Sequence, residues 1–198
     1  MGYWFPRFYD LAMLPLERTK FKRIRSALVG KASGRVLEIG SGTGVNFPFY
    51  TRATQVDAIE PDPGMHIRLH KRIDGSAVPI KSYAAQAEKL PFADDTFDAI
   101  VATLVFCTIP EPEKALQEIK RVAKPEADIF LFEHVRMKHN LLGKMQDLLT
   151  PFWKKICDGC HLNRDTLDMV KKAGMSIQKV EQHFKGLFLT IICINEKN

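Results

Sequence analysis

The amino-acid sequence predicts an α/β protein whose mostly parallel, doubly wound sheet has seven strands and ends in an antiparallel hairpin. Three observations predict this fold. Short apolar segments alternate with helical patterns, a glycine-rich turn follows the first apolar segment after residue 30, and the last two segments flank a turn near residues 185–186. Such alternation is typical of a sheet covered by helices on both faces. The 198 residues suffice for one domain with a full core.

The elements follow from the spacing of the apolar residues. Spacing of three to four residues predicts helices, whereas short continuous apolar runs predict strands that are buried on both faces. In the first part of the chain, we expect a basic amphipathic helix at 15–29, a strand at 35–39, a helix from the glycines to about Arg52, a strand at 55–59, a helix from its cap Asp62 toward Lys71, and a strand at 77–83. The remainder predicts a strand at 97–103, a helix at 111–122, a strand at 129–133, helices at 140–156 and 163–173, and strands at 175–184 and 187–195.

The composition excludes several classes of protein. Hydrophobic residues make up 45% of the chain and charged residues 26%, which are ordinary values for a globular domain. The longest apolar run, 186–194, has about half the length of a membrane-spanning helix. The first residues show neither a secretory signal nor a myristoylation motif. We therefore expect a soluble, cytoplasmic protein.

Four cysteines are too few for a disulfide scaffold, and only Cys157 and Cys160 have the spacing of a metal or redox motif. A structural zinc ion needs four ligands, and no second pair along the chain completes the set. The sequence therefore predicts a turn with two free thiols and no metal.

The net charge of +6 is unevenly distributed, because residues 1–35 and 134–198 are basic and the stretch between them is acidic. Two interpretations remain open. The basic ends contact a common negative partner, such as an acidic substrate or an anionic membrane surface, or they simply present solvated helix faces. The basic helix at 15–29 would then either contact lipid or cover the active site.

The glycine-rich turn and the residues beside it are the predicted ligand-binding site. Gly40, Gly42 and Gly44 come directly after a strand, where glycine lets the backbone approach a ligand closely. Glu60, at the end of the next strand, is placed to bind both hydroxyls of a ribose. The third glycine comes one residue too early for a dinucleotide site. Glu38, inside an apolar strand, needs a cation or hydrogen-bond donors, which suits a ligand with an amino-acid end.

These residues resemble a known family. Residues 36–44 (VLEIGSGTG) and 59–61 (IEP) resemble the first two motifs of class I S-adenosylmethionine-dependent methyltransferases. Residues 87–101 resemble the stretch from the adenine pocket to the fourth strand, and 121–125 (RVAKP) resembles the segment before the fifth. The resemblance implies a Rossmann-like three-layer αβα sandwich and S-adenosyl-L-methionine as the methyl donor. It also divides the chain into a helical cap at 1–33, a cofactor-binding core at 34–135, and acceptor-side helices with the hairpin at 136–198.

The two ends are similar to a narrower group, the methyltransferase-like 7 proteins, which resemble thiol methyltransferases. The similarity lies in residues 8–10 (FYD), Asn46, 133–135 (EHV), and the spaced residues of 151–166. It implies a small, partly apolar acceptor, which is a thiol, a quinone-like or a lipid-like molecule. The aromatic residues at 3–5 and 152–153 either line the acceptor pocket or belong to the ordinary core. The alternatives are a nucleic-acid methyltransferase, although 103–106 (TLVF) lacks the motif typical of those enzymes, and a non-enzymatic S-adenosylmethionine-binding protein.

The resemblance also implies roles for individual residues. The expected cofactor-binding residues are Tyr9, Glu38, Gly40, Ser41, Gly42, Gly44, Asn46, Glu60, Pro61, Ala87, Glu88, Thr103 and Leu104. His134, just after the fifth strand, is the candidate general base for an acceptor that arrives protonated, because its ordinary pKa lies near neutral pH. The alternative for His134 is an ordinary surface histidine at a strand end. We expect a small-molecule acceptor, no nucleic acid, and optional contact with an anionic membrane.

Overall fold

A computed structural model of the chain describes residues 19–157 and 159–197, apart from the side chains of His66 and Lys71. Its centre is one sheet of seven strands: β1 Ser33–Ile39, β2 Arg52–Ile59, β3 Ile80–Tyr83, β4 Phe97–Thr103, β5 Ala123–His134, β6 Ser176–His183 and β7 Phe188–Ile194. The strand order is β3-β2-β1-β4-β5-β7-β6, with β7 antiparallel to both of its neighbours and the other pairs parallel. The predicted fold class is confirmed.

Helices cover both faces of the sheet. They are α1 Lys20–Val29, α2 Pro63–Ile73, α3 Pro112–Val122, α4 Asn140–Ile156 and α5 Thr166–Lys172. Successive residues of β5 point to opposite faces. Leu131 joins the core beneath α3, whereas Phe132 packs edge-on against Phe21 of α1, with ring centroids 5.2 Å apart. The carboxyl ends of β1, β2, β4 and β5 therefore meet at one edge of a three-layer structure.

The helix that we expected after the glycine-rich turn is not formed. Turns occupy that segment, followed by a single 3-10 turn at Phe47–Phe49. Gly44 has a φ of +80°, which lies outside the right-handed helical region, and Pro48 has no N–H for a helical hydrogen bond. β5 begins six residues earlier than predicted, because Ala123 already pairs with Phe97 across an irregular register.

The helix α1 turns its apolar side into the protein. Phe21, Leu28 and Val29 are buried, while Lys22 and Arg23 face solvent. The described part of this helix thus packs its apolar residues against the sheet and leaves its basic residues in solvent; residues 15–18 of the predicted helix lie outside the described residues. In the part of the chain that the structure describes, no helix is both long and apolar enough to cross a membrane.

Candidate active site

Glu60 lies where the sequence placed it, at the carboxyl end of β2. Its Oε2 accepts a hydrogen bond from the Gly42 amide at 2.8 Å, and its Oε1 accepts one from the Asp62 amide at 2.9 Å. Asp62 in turn caps α2 by accepting from the Met65 amide at 2.9 Å, as predicted. Two backbone amides thus hold the carboxylate beside the glycine-rich turn, at the strand end where the sequence predicts a ribose-binding acid.

The glycine-rich turn leaves open space over its middle. Gly40, Gly42 and Gly44 have φ angles of +63°, +55° and +80°. A Cβ on Gly40 would lie 2.2 Å from the Val105 side chain, but a Cβ on Gly42 would meet nothing within 4 Å. Ser41 ties the turn to β2, because its amide donates to the Ile59 carbonyl at 3.0 Å. The Cα of Gly42 therefore faces open space on its Cβ side, while its amide is held by Glu60 and Ser41 is held by β2.

Glu38 is buried at the end of β1 and is satisfied by two side chains. Asn46 Nδ2 donates to Oε1 at 2.9 Å, and the Tyr50 hydroxyl donates to Oε2 at 2.8 Å. Burial nevertheless raises the pKa of Glu38 to about 7, against the lowering effect of these hydrogen bonds. The sequence predicted Glu38 and Asn46 as neighbours of the cofactor's amino-acid end, but it did not identify Tyr50.

Arg25 is a second residue that the sequence reasoning missed. Its guanidinium, only 3% exposed, donates to Asn46 Oδ1 at 3.0 Å and to Thr103 Oγ1 at 2.5 Å. Asn46 Nδ2 also donates to Thr103 Oγ1 at 2.9 Å, so α1, the glycine-rich turn and β4 converge on one polar group. In the sequence, Arg25 is one of the basic residues of the predicted helix at 15–29. Its spacing from Phe21 and Leu28, which places it in the apolar stripe of α1, was the signal that could have identified it.

The remaining predicted cofactor residues lie along the same edge. Leu104, directly after β4, has a φ of +55°, a strained conformation that is typical of functional sites, and its amide donates to the Phe132 carbonyl at 2.7 Å. The Glu60 amide donates to the Tyr83 carbonyl at 3.0 Å, so the turn that carries Ala87 and Glu88 starts next to Glu60. Ala87 is buried, Glu88 half-buried and Pro61 exposed, whereas Tyr9 lies outside the described residues.

A second group of side chains lies at the end of β5. His134 Nε2 is 3.2 Å from Cys160 Sγ, and the ligand atoms of Cys107, His134 and Cys160 all lie within 4.8 Å of one another. We call these three residues the thiol–histidine cluster. The sequence predicted His134 but paired Cys160 with Cys157, because the approach of Cys107 depends on how two distant loops pack. A hydrogen bond with Cys107 lowers the pKa of Cys160, and the neighbouring His134 ring lowers it further.

Glu133, the residue before His134 in the chain, is fully buried. Its Oε1 accepts from the amides of Val105 and Phe106 at 3.0 and 3.3 Å, but its Oε2 has no hydrogen-bond partner among the described residues. The buried Nδ1 of His134 likewise has none there. Burial raises the pKa of Glu133 to about 7. Buried polar atoms without a partner are uncommon in folded proteins, so this region is a candidate functional site.

The two described aromatic residues of the expected acceptor wall differ in their surroundings. Phe152 is 66% exposed on α4, whereas Trp153, 40% exposed, makes a side-chain hydrogen bond that lowers the pKa of Cys160. The aromatic residues at 3–5 lie outside the described residues.

Comparison with known proteins gives consistent matches. Residues 37–131 match the model of a family described as a methyltransferase domain. Thiol S-methyltransferase TMT1B of Rattus norvegicus is 34% identical over 171 residues, which cover 83% of this chain and 69% of that protein. Phosphatidylethanolamine N-methyltransferase of Cereibacter sphaeroides is 30% identical over 146 residues, or 73% and 71% of the two chains. The solved structure of an S-adenosylmethionine-dependent methyltransferase from Aquifex aeolicus covers 98% of each chain with a TM-score of 0.66 and 18% identity, which supports the fold.

Proposed function

The chain belongs to the methyltransferase-domain family and is an enzyme that transfers methyl groups from S-adenosyl-L-methionine, and from this premise we propose that its acceptor is the sulfur of a small, partly apolar thiol. The observation that carries the proposal is the thiol–histidine cluster at the carboxyl end of β5, one strand away from Thr103. The identity shared with a named thiol S-methyltransferase supports the same acceptor.

The residues at the ends of β1 and β2 fit the methyl donor. Bound S-adenosylmethionine supplies a methyl group that is already activated on a sulfonium, so the protein mainly has to align the reactants and exclude water. In our proposal Glu60 binds the ribose hydroxyls, and the open backbone at Gly42 lies against the donor. Glu38 and Arg25 are buried opposite charges that match its ammonium and carboxylate groups.

The donor's other contacts follow from the positions of the remaining residues. We assign Pro61, Ala87 and Glu88 to the adenine side, because the turn that carries the latter two starts beside Glu60. Thr103 and Leu104 belong to the methionine side, since Thr103 shares hydrogen bonds with Arg25 and Asn46.

The acceptor needs a different environment. A thiol must lose its proton, because the thiolate is the nucleophile. We assign this step to the region of His134 rather than to Glu38 and Glu60, whose oxygens already accept hydrogen bonds from other groups of the chain. The polar atoms next to His134, by contrast, include buried ones without a partner among the described residues.

A competition between acceptors tests the proposal. Purified full-length protein is incubated with S-adenosylmethionine and one of four acceptors: hexanethiol, hexanol, a short-chain demethylated quinone, or vesicles of phosphatidylethanolamine. We expect the methyl thioether from hexanethiol and no product from hexanol, with Glu60→Gln inactive throughout. Faster turnover of the quinone or of the lipid amine, or of RNA in a parallel assay, would contradict a thiol acceptor.

We also propose that the contact with anionic lipid, expected from the basic ends, is made by α4. This helix turns its polar side inward: Gln146 is buried and donates to the Val135 and Leu162 carbonyls at 3.1 and 2.9 Å. Its outer face carries apolar residues, including Leu148 at 80% and Phe152 at 66% exposure. Lys144, Lys154 and Lys155 are exposed on the same helix. An exposed apolar stripe with lysines is typical of helices that lie on a membrane surface.

Vesicle co-sedimentation tests this contact. We expect binding that increases with the fraction of phosphatidylserine and decreases with salt. The double variant Leu148→Ser/Phe152→Ser should lose binding, whereas Lys22→Ser/Arg23→Ser on α1 should retain most of it. Binding that is equal for neutral and anionic vesicles, or that is lost with the α1 variant alone, would contradict the proposed surface.

A further inference from the structure

The thiol–histidine cluster has the composition and the spacing of a metal centre. We propose that Cys107, His134 and Cys160 bind one zinc ion and leave its fourth coordination position open for the sulfur of the acceptor. The inference rests on the proposed thiol function and specifies how the acceptor is held. The sequence alone predicts no metal, because Cys157 and Cys160 form an incomplete motif.

The distances fit a single tetrahedral ion. Zinc binds cysteine sulfur at about 2.3 Å and histidine nitrogen at about 2.0 Å, so ligand atoms on one ion lie about 3.5–3.8 Å apart. The observed separation of 3.2 Å between His134 Nε2 and Cys160 Sγ is a few tenths of an ångström shorter. All three ligand atoms fall within 4.8 Å of one another. Small side-chain rotations are therefore enough to place an ion among them.

The chain holds the three residues together without a metal. The His161 amide donates to the Cys107 carbonyl at 2.8 Å, which joins the loop after α4 to the loop after β4. Arg164 strengthens the same junction, since its NH1 donates to the Ile109 carbonyl at 2.7 Å and also to the Phe106 carbonyl. A site whose ligands are already assembled binds its ion at a lower cost in conformational entropy.

The surroundings of the ligands also favour zinc. The His134 ring packs edge-on against Phe188, with centroids 6.4 Å apart and an interplanar angle of 89°, which fixes the direction of Nε2. Two thiolates and a neutral imidazole balance the charge of a divalent ion in a largely buried site. Two sulfurs and one nitrogen form a donor set that catalytic zinc sites use with an open position, and thiolates select zinc over magnesium or calcium.

The open position gives the ion a chemical task. When the acceptor sulfur binds zinc, its proton is released to solvent and it remains as a thiolate at neutral pH. The thiolate sulfur then forms a bond to the methyl carbon, the bond from that carbon to the sulfonium breaks, and its electron pair stays on the cofactor sulfur. The products are a methyl thioether and S-adenosylhomocysteine. Because a neutral thioether is a poor zinc ligand, the product leaves and the position reopens. His134 then acts as a ligand instead of a free base.

Metal analysis of the full chain is the first test. Protein purified under reducing conditions, loaded with zinc and freed of excess ion should hold one equivalent by plasma mass spectrometry. Cys160→Ser should weaken zinc binding at least about 100-fold in competition with a chelator, because it removes a direct ligand. Cys157→Ser is the matched control and should bind as the parent does. Circular dichroism checks that each variant is folded, and the half-buried Cys160 makes its variant a safer choice than one at the buried Cys107.

Cobalt tests the open position separately from activity. The cobalt-loaded protein should show thiolate charge-transfer absorption that changes when hexanethiol is added and does not change with hexanol. Chelation should reduce hexanethiol methylation at least about tenfold and leave the binding of S-adenosylhomocysteine unaltered. Absence of tight zinc binding in a protein that still methylates thiols would overturn the metal site and leave the proposed function in place. A cobalt spectrum that responds to thiols in a protein without thiol turnover would support the site and contradict the proposed function.

Discussion

Two buried glutamates lie at the edge of the sheet where the carboxyl ends of the parallel strands meet. They are equally buried, but their hydrogen-bond partners differ. Glu38 is the penultimate residue of β1 and Glu133 is that of β5, and burial raises the pKa of each to about 7. Both oxygens of Glu38 accept hydrogen bonds from side chains, whereas Glu133 uses only Oε1 among the described residues. The half around β1 and β2, the cofactor edge, is thus complete in itself. The half around the end of β5, which we call the acceptor edge after the proposed function, has buried polar atoms without a partner among the described residues.

The largest expected effect is on the cofactor edge. Glu60→Gln removes the negative charge that two backbone amides orient toward the ribose position. We expect at least about 100-fold weaker binding of S-adenosylmethionine by calorimetry, since charged hydrogen bonds contribute about 1.5–3 kcal/mol each. The exposed control Glu196→Gln should bind like the parent. Unchanged affinity in a folded Glu60→Gln protein would mean that the ribose lies elsewhere.

Arg25 tests whether the cofactor edge includes α1. Arg25→Lys keeps the positive charge but removes the guanidinium group, whose NH1 donates hydrogen bonds to Asn46 and Thr103. We expect about 30-fold weaker binding of S-adenosylhomocysteine. Binding of methylthioadenosine, which has no amino-acid end, should be almost unchanged. An equal loss for both ligands would show that Arg25 only supports the fold.

The pKa of Glu38 predicts a pH dependence. The carboxyl is mostly protonated at pH 5.5, and its ionised form, which attracts an ammonium group, becomes half populated near pH 7. Affinity for S-adenosylmethionine should therefore rise about tenfold from pH 5.5 to 7, with a proton released on binding in that range. Glu38→Gln should abolish the rise. Titrations in buffers of different ionisation enthalpy measure the proton release, and a pH-independent affinity in the parent would contradict this role.

The smallest effect is expected at the acceptor edge and concerns stability. The pKa of Glu133 is raised in the folded state. Between about pH 4.5 and 7, the folded chain therefore keeps a proton on this carboxyl that the unfolded chain has already lost. The contribution of Glu133 to the free energy of unfolding is therefore fully present below this pH range and is lost as the pH rises through it. Glu133→Gln should stabilise the ligand-free protein by about 1–2 kcal/mol at pH 8 and change little at pH 4. Denaturant unfolding at both pH values measures the difference, and destabilisation at pH 8 would show that the charged form has a partner.

Much of the cofactor edge was predictable because its chemistry is encoded locally. Gly40, Gly42, Gly44 and Glu60 lie in two short segments whose spacing alone places them at adjacent strand ends. The strand at Phe97–Thr103 was predicted to the residue, since a continuous apolar run specifies its own burial. The predicted helix after the glycines failed for an equally local reason, which is that Gly44 and Pro48 disrupt a pattern that apolar spacing alone suggests.

By itself, then, the sequence determined the fold, the methyl donor and the candidate residues at the ends of β1 and β2, because these follow from backbone preferences and from spacing along neighbouring segments. The tertiary structure alone decided the contact of Arg25 with Thr103, the meeting of Cys107, His134 and Cys160, and the outward apolar face of α4. Each of these depends on which distant loops and faces pack together. That choice is made by the burial of the whole core, which no short stretch of sequence contains.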